Sequence, residues 1–483
     1  MKFDVAIIGA GVIGALTARE LTRYRLRVLL LEKSDDVAGG ASRANSGIVH
    51  GGFDPAPGSR KAFFNRRGTE KMQALAEELG VSYRNNGSMV LAFSDEEARS
   101  VRELYERGLR NGIPGLSLIG KEEILRLEPH VSPDVTVALR CTSSGIVCPY
   151  GLTIAAAGNA MDNGAELWCN FAVDAITPCE QGFRISSGDR SVEADFVVNC
   201  AGIHADQIAA MIGDTEYRIL PRKGEYLLLD RAEGNLCSHT LFQVPTKAGK
   251  GVLVTPTADG NLLIGPTSVP QPDKDCRDTT ADGMAAIRTA AEKTMKNIPY
   301  RQIITSFTGL RASLVGQEDF VLAPSSHFPR FLHAIGIDSP GLSSAPAIAE
   351  ELVRLLREAG LPCIPNPDFC GCRASYHVFA GCNDEEKNAI IRKNHAYGHI
   401  VCRCESITEG EILDAIRRNP PARSIDAVKR RVRAGMGRCQ GGFCTTYVTD
   451  LLAREGHISP LQVTKCGPGS ELLTGWSKQE DAQ

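Results

Sequence analysis

The sequence predicts an α/β chain in three parts: a Rossmann-like nucleotide-binding domain, an antiparallel sheet inserted into it, and a small helical module at the carboxyl end. Three observations predict this. A short apolar run at residues 3–8 meets three closely spaced glycines and then a helical run. Alternating apolar residues with glycine turns recur at residues 83–93, 227–230 and 251–265. Cysteines at short spacing gather near the end of the chain, between helical segments.

A chain of 483 residues is too long for one ordinary core, so two or three domains are expected. Hydrophobic residues make up 43% and charged residues 23%, which is globular composition and argues against a disordered chain. The net charge of −3 removes the electrostatic case for a whole-chain nucleic-acid binder. No run of about 18 apolar residues exists, so no transmembrane helix is expected. Met1-Lys2-Phe3-Asp4-Val5 runs straight into a strand without a signal-peptide pattern. A cytoplasmic protein is expected, touching a membrane only through a partner. Sixteen cysteines in a reducing compartment point to metal ligands more than to disulfides.

Phe3-Asp4-Val5-Ala6-Ile7-Ile8 reads as a buried parallel strand, and Ala15 to Arg23 as a helix. Between them, Gly9 permits a tight turn, Gly11 lets a pyrophosphate approach the backbone, and Gly14 allows close helix–strand packing. The helix start then offers unpaired N–H groups and a positive dipole end to phosphates. A second strand, Val28-Leu29-Leu30-Leu31, ends at Glu32, placed to accept from ribose hydroxyls. A dinucleotide is implied, and this unit alone does not separate FAD from NAD.

The stretch Gly39-Gly40-Ala41-Ser42-Arg43-Ala44-Asn45-Ser46-Gly47-Ile48-Val49-His50-Gly51-Gly52 separates them. It resembles a motif of the D-amino-acid-oxidase-like flavoproteins, in the group of FAD-dependent glycerol-3-phosphate and L-2-hydroxyglutarate dehydrogenases. Further matches are 104–108 with 114–115, 144–147, Val197-Val198-Asn199-Cys200-Ala201-Gly202, Arg222-Lys223-Gly224-Glu225-Tyr226 and 336–342. The resemblance covers most of residues 1–355 and implies FAD held by Gly9, Gly11, Gly14, Glu32, Ser42, Arg43, Ser46, Gly202, Gly341 and Leu342. It also implies that residues 340–344, which open a helix from Ala345 to Glu358, aim that helix's dipole at the flavin. The inserted sheet, roughly 80–145 and 215–310 within a domain of 1–358, would be the substrate domain.

An alcohol substrate needs its C–H aimed at the flavin and its hydroxyl proton taken by a base. His50 is the candidate base, because the motif places it beside the flavin and histidine titrates near neutrality. Its other reading is a histidine that only hydrogen-bonds the cofactor. Arg311, in Thr308-Gly309-Leu310-Arg311, matches the family arginine that grips the substrate anion, a role a guanidinium fork suits. Lys223 and Tyr226 are candidates for a second anionic end.

Residues 359–398, with Pro362, Pro365 and Pro367, read as a linker with a helix near Asn383 to Lys393. The module at 399–466 has Cys402 and Cys404, then a capping box at Thr408-Glu409-Gly410-Glu411 opening a helix to Arg418. A second helix, Ile425 to Arg433, precedes Cys439 and Cys444, and residues 467–483 are a tail. Four thiolates on two glycine-lined loops can close one [2Fe–2S] centre, and the same spacing also satisfies zinc. The module resembles the bacterioferritin-associated-ferredoxin-like [2Fe–2S] domain, also appended to anaerobic glycerol-3-phosphate dehydrogenase subunits. It carries eleven Lys/Arg against seven Asp/Glu, and the run Lys429-Arg430-Arg431 reads as a basic helix near an anionic cluster. Cys363, Cys370, Cys372 and Cys382 form a loose group, either free thiols in a flexible linker or a second metal site.

The expected activity is oxidation of the secondary alcohol of glycerol 3-phosphate to dihydroxyacetone phosphate, with electrons leaving FAD through the cluster to partner subunits. L-2-hydroxyglutarate, an amine or amino-acid substrate, and an electron-transfer subunit without substrate chemistry of its own are the competing readings.

Overall fold

The computed structural model describes residues 1–245, 251–376 and 379–477. The last six residues of the expected tail and residues 377–378 of the expected linker lie outside the described residues.

Strand β1 (Lys2–Ile8) sits at the centre of an eight-stranded sheet. It pairs in parallel with β2 (Val28–Leu31) on one side and with Arg190–Asn199 on the other, ending in register at Leu31 and Asn199. Both faces of β2 are buried, which is why it reads as an unbroken apolar run. Helix α1 (Val12–Leu21) packs on Pro149–Asp162 and Gly341–Glu358, and α2 (Arg60–Glu78) packs on the latter helix. The late helix begins at Gly341, four residues before the predicted Ala345, so residues 341–344 form its first turn.

The second sheet has nine strands, drawn from residues 88–141 and 222–311, and is almost wholly antiparallel. One face of it, with Leu227, Leu229, Val254 and Ile264, packs on the helix Ala281–Thr294 through Ile287 and Ala291. The opposite face turns toward the nucleotide domain. The close approach there requires Gly309, where a side chain's first carbon would meet the Ala44 carbonyl at 1.9 Å.

Residues 399–466 form a separate core under the helices Glu409–Arg417, Ile425–Val432 and Thr445–Gly456. The first begins at the predicted capping box and the second at the predicted Ile425, with Ser424 as its cap. The third was not foreseen, since it opens on β-branched Thr445 and Thr446 without a capping side chain. The segment expected to be a flexible linker is laid along the nucleotide domain instead. Its backbone bonds include Arg25 N to the Ile364 carbonyl at 2.8 Å and Arg373 N to the Glu78 carbonyl at 2.7 Å. Among the described residues, no helix is long and apolar enough to cross a membrane.

Candidate functional site

A cavity of about 1940 Å³ runs from the carboxyl end of β1, past the start of the helix at Gly341, to the inner face of the second sheet. Its volume exceeds that of an ordinary small-ligand pocket and suits a long cofactor with room for a substrate beside it. At one end the turn after β1 is built for backbone approach. Gly9 has φ +106°, and a side chain there would meet the Cys200 carbonyl at 2.5 Å. Gly14 admits the turn to its helix, since a Cβ on it would fall 2.0 Å from the Gly9 carbonyl.

Two side chains brace this loop from outside it. The Ser42 hydroxyl accepts the Val12 N–H at 2.9 Å, and the Glu32 carboxylate accepts the N–H groups of Ala10 and Ser34 at 2.9 and 3.0 Å. Glu32, Ser42, Ser46, Gly202, Gly341 and Leu342 all line the cavity with Gly9 and Gly11. These are the groups that would hold a dinucleotide along its length. Arg43 is not among the lining residues. Its charged neighbours are Arg430, Arg277 and Asp426, and burial together with the two arginines lowers its pKa. Most of these neighbours belong to the carboxyl-terminal module.

His50 follows the two-residue strand β3 (Ile48–Val49) and lines the middle of the cavity, with Phe53 and Phe242 against its ring. Its backbone N–H donates to the Ser343 hydroxyl at 2.7 Å, which ties it to the start of the helix at Gly341. Its Nδ1 accepts the Gly52 N–H at 3.0 Å, so the neutral ring carries its proton on Nε2. Taking a hydroxyl proton at Nε2 would require a change of tautomer that breaks this contact. Donating from Nε2 to a substrate oxygen requires none.

Arg311 lies on the cavity-facing side of the strand Ile303–Arg311 and is in register with Arg222 on Arg222–Leu229. Both guanidiniums converge on Ser268: Arg222 Nε donates to its hydroxyl at 3.1 Å and Arg311 from 3.5 Å. Tyr226, two pleats along, shares this face, stacked on Phe307 and hydrogen-bonded to Arg311. Lys223 falls on the other face of the strand by alternation, yet it too lines the cavity. It sits beside Glu225 and donates to the Asp278 carbonyl at 3.2 Å. The two residues expected at a second anionic end thus fall on opposite faces of one strand. Arg222 was not singled out, although alternation places it with Tyr226.

In the module, the Cys404 and Cys439 sulfurs stand 3.5 Å apart, and the Cys402 and Cys444 thiols hydrogen-bond to each other. That bond from Cys444 lowers the Cys402 pKa to about 6 and raises that of Cys444. Burial works to raise Cys439, but Cys404 and the N–H groups of Gly441, Phe443 and Gly442 outweigh it and lower its pKa. A loop that aims three backbone donors at one sulfur fits an anionic thiolate cluster. Among the described residues, no three His, Cys, Asp or Glu groups converge as a single-ion site, here or at Cys363, Cys370, Cys372 and Cys382. The four module thiols form two pairs, Cys404 with Cys439 and Cys402 with Cys444.

The module is fastened to the first domain by buried ion pairs. Asp36, four residues past Glu32 and 3% exposed, takes Arg431 at 2.7 and 2.8 Å and Arg430 at 2.8 Å. Burial alone would raise this carboxyl, but the two guanidiniums hold it below the usual range. Arg430 and Arg431 of the basic run therefore answer Asp36, not the cluster. Elsewhere Arg433 bridges Glu405, Asp259 and Asn261, Arg438 meets Asp230, and Arg231 meets Glu405. Tyr150 touches Asp259 and Met436.

Residues 4–355 match the FAD dependent oxidoreductase family. The chain belongs to that family. Residues 400–454 of this FAD-dependent oxidoreductase match the BFD-like [2Fe–2S] binding domain, so FAD and a [2Fe–2S] cluster are its two cofactors. A glycerol 3-phosphate dehydrogenase of Caloramator mitchellensis is 44% identical over 478 residues, covering 99% of both chains. The FAD-bound, dithionite-reduced L-α-glycerophosphate oxidase of Mycoplasma pneumoniae superposes with a TM-score of 0.75 at 30% identity, over 78% of this oxidoreductase and all of that chain. Human mitochondrial L-2-hydroxyglutarate dehydrogenase is 31% identical, over 56% of this chain and 61% of the human one.

Proposed function

We propose that this oxidoreductase converts glycerol 3-phosphate to dihydroxyacetone phosphate and passes the electrons through its [2Fe–2S] cluster to a partner protein. The observation that carries the reading is the Arg222–Arg311 pair, two guanidiniums in register on the face that looks at the cofactor cavity. Two planar forks around one serine suit a dianionic phosphate, which offers three acceptor oxygens. Full-length similarity to a glycerol 3-phosphate dehydrogenase supports it, because that match spans the flavin domain and the module together.

FAD bound along the cavity supplies a two-electron acceptor for the carbinol hydrogen. Arg222 and Arg311 would anchor the phosphate and so fix which carbon is presented. His50 would hold the carbinol oxygen from Nε2, with Phe53 and Phe242 keeping its ring in place, and the hydroxyl proton would pass to solvent in the cavity as the carbinol hydrogen leaves. L-2-hydroxyglutarate would need a cation at each end, and Lys223, the residue expected there, is already paired with the buried Glu225 carboxylate at 3.7 Å.

Anaerobic titration of the flavin absorbance with glycerol 3-phosphate, L-2-hydroxyglutarate and amino acids tests the reading. Bleaching by glycerol 3-phosphate alone is expected. Bleaching by 2-hydroxyglutarate in preference would move the assignment to hydroxy acids, and no bleaching by any would make the chain an electron-transfer subunit.

A further inference from the structure

The four cluster cysteines divide into an inner and an outer pair. Cys402 and Cys444 are buried, whereas Cys404 is exposed and Cys439 partly so. Beside the outer pair stands Phe443, 84% exposed, the most exposed large hydrophobic side chain among the described residues. Its backbone N–H points at the Cys439 sulfur while its ring faces solvent. Burying a phenyl ring is worth about 1.5–3 kcal/mol, so a fully displayed one next to a redox centre is a ready contact for another surface. The exposed charges on its two loops are cationic, Arg438 being paired with Asp230 beyond them. On the loops 402–406 and 435–444, the exposed charged residues are Arg403 and Arg438. The single acidic residue of those loops, Glu405, is buried against Arg433.

We propose that Phe443, Arg403 and Arg438 form the docking surface for a small acidic one-electron carrier protein, which seats on the outer pair, Cys404 and Cys439. The proposal rests on the reading of the cluster as the electron exit. In the step itself one electron leaves the reduced cluster and reduces the carrier's metal. No bond forms or breaks, and two carriers are needed per substrate oxidised. An apolar centre with a cationic rim matches a partner whose own redox edge is apolar and ringed by carboxylates.

The test uses the full-length holoenzyme, reduced anaerobically with glycerol 3-phosphate. An acidic blue-copper protein, plant plastocyanin, and a basic c-type cytochrome serve as one-electron probes, with ferricenium as a small control acceptor. Plastocyanin reduction is expected to be the faster of the two at low salt and to fall at least about tenfold between low and high ionic strength. Phe443→Ser and Arg403→Glu should each slow it about tenfold or more, while leaving ferricenium turnover, iron content and the reduced-cluster resonance signal as in the parent. Preference for the basic cytochrome would overturn the proposal, as would plastocyanin rates indifferent to both substitutions. If substrate bleaches the flavin but never reduces the cluster, the electron-exit reading itself fails, and the docking surface falls with it.

Discussion

Replacing Asp36 by Asn removes one charge from the densest contact between the two domains while keeping the side chain's size. Asp36 is 3% exposed and meets three guanidinium nitrogens within 2.8 Å. The substitution leaves Arg430 and Arg431, 7% and 2% exposed, facing a neutral amide. Breaking a buried ion pair from one side costs about 3–5 kcal/mol, because the partner charge stays desolvated. Arg431→Leu should sit near the lower end of that range, about 3 kcal/mol, since Arg430 still pairs with the carboxylate. With a urea dependence of about 1–3 kcal/mol per molar, a loss of 3 kcal/mol moves the midpoint of the module's transition down by about 1–3 M. The visible circular dichroism of the cluster follows that transition, and flavin fluorescence follows the other domain separately, as a multi-domain chain requires. A depressed carboxyl stabilises above its unfolded pKa of about 3.9 and loses that contribution as pH falls through the folded value. The gap between the parent and Asp36→Asn should therefore hold from pH 8 to about 5 and close in stronger acid. The triple replacement Asp36→Leu, Arg430→Met, Arg431→Met should recover to within about 1 kcal/mol of the parent. Single-variant midpoints equivalent to less than about 0.5 kcal/mol would refute the claim that this triad fastens the module.

Gly11→Val should give protein without bound FAD, since its first carbon would lie 3.1 Å from the Ser42 hydroxyl that braces the loop, measured by flavin release on denaturation. Arg311→Leu should lose about 2–5 kcal/mol in kcat/KM for glycerol 3-phosphate with FAD retained, and unchanged turnover would move the anion site elsewhere. His50→Leu should slow flavin bleaching by about 10²–10⁴-fold, and His50→Asn by distinctly less, because an amide still donates to the carbinol oxygen; equal losses would return His50 to the role of base. Cys404→Ser should leave substrate bleaching of the flavin intact while iron analysis and paramagnetic resonance report a lost or altered cluster.

The glycine turn after β1 was legible because its constraint is local: the strand, the turn and the helix are neighbours in sequence. The capping box at Thr408 was readable for the same reason. Arg222 escaped notice because its partner Arg311 lies 89 residues away and only the strand register joins them. Arg430 and Arg431 misled in the opposite direction. A basic helix reads as a solvated or cluster-facing surface, and nothing near it in sequence points to a carboxylate at position 36. Arg43 sits in a motif that points to the cofactor, yet it does not line the cavity and most of its charged neighbours belong to the module. Side-chain destination is a property of packing, and packing between domains leaves little periodic trace in the sequence.

The grips on the module fall on separate stretches of the first domain: residues 35–36, 230–231, 259–261 and Tyr150. A cluster fixed at that many points has no arc to sweep. A redox group on a slack tether delivers its electron only as often as the tether swings round, and thicker solvent slows it. Here the gap between the two centres is set when the chain folds, so the internal transfer on the proposed route depends on distance and driving force alone. Added sucrose should slow only the arrival and departure of the external carrier, leaving the passage from flavin to cluster at its unthickened rate.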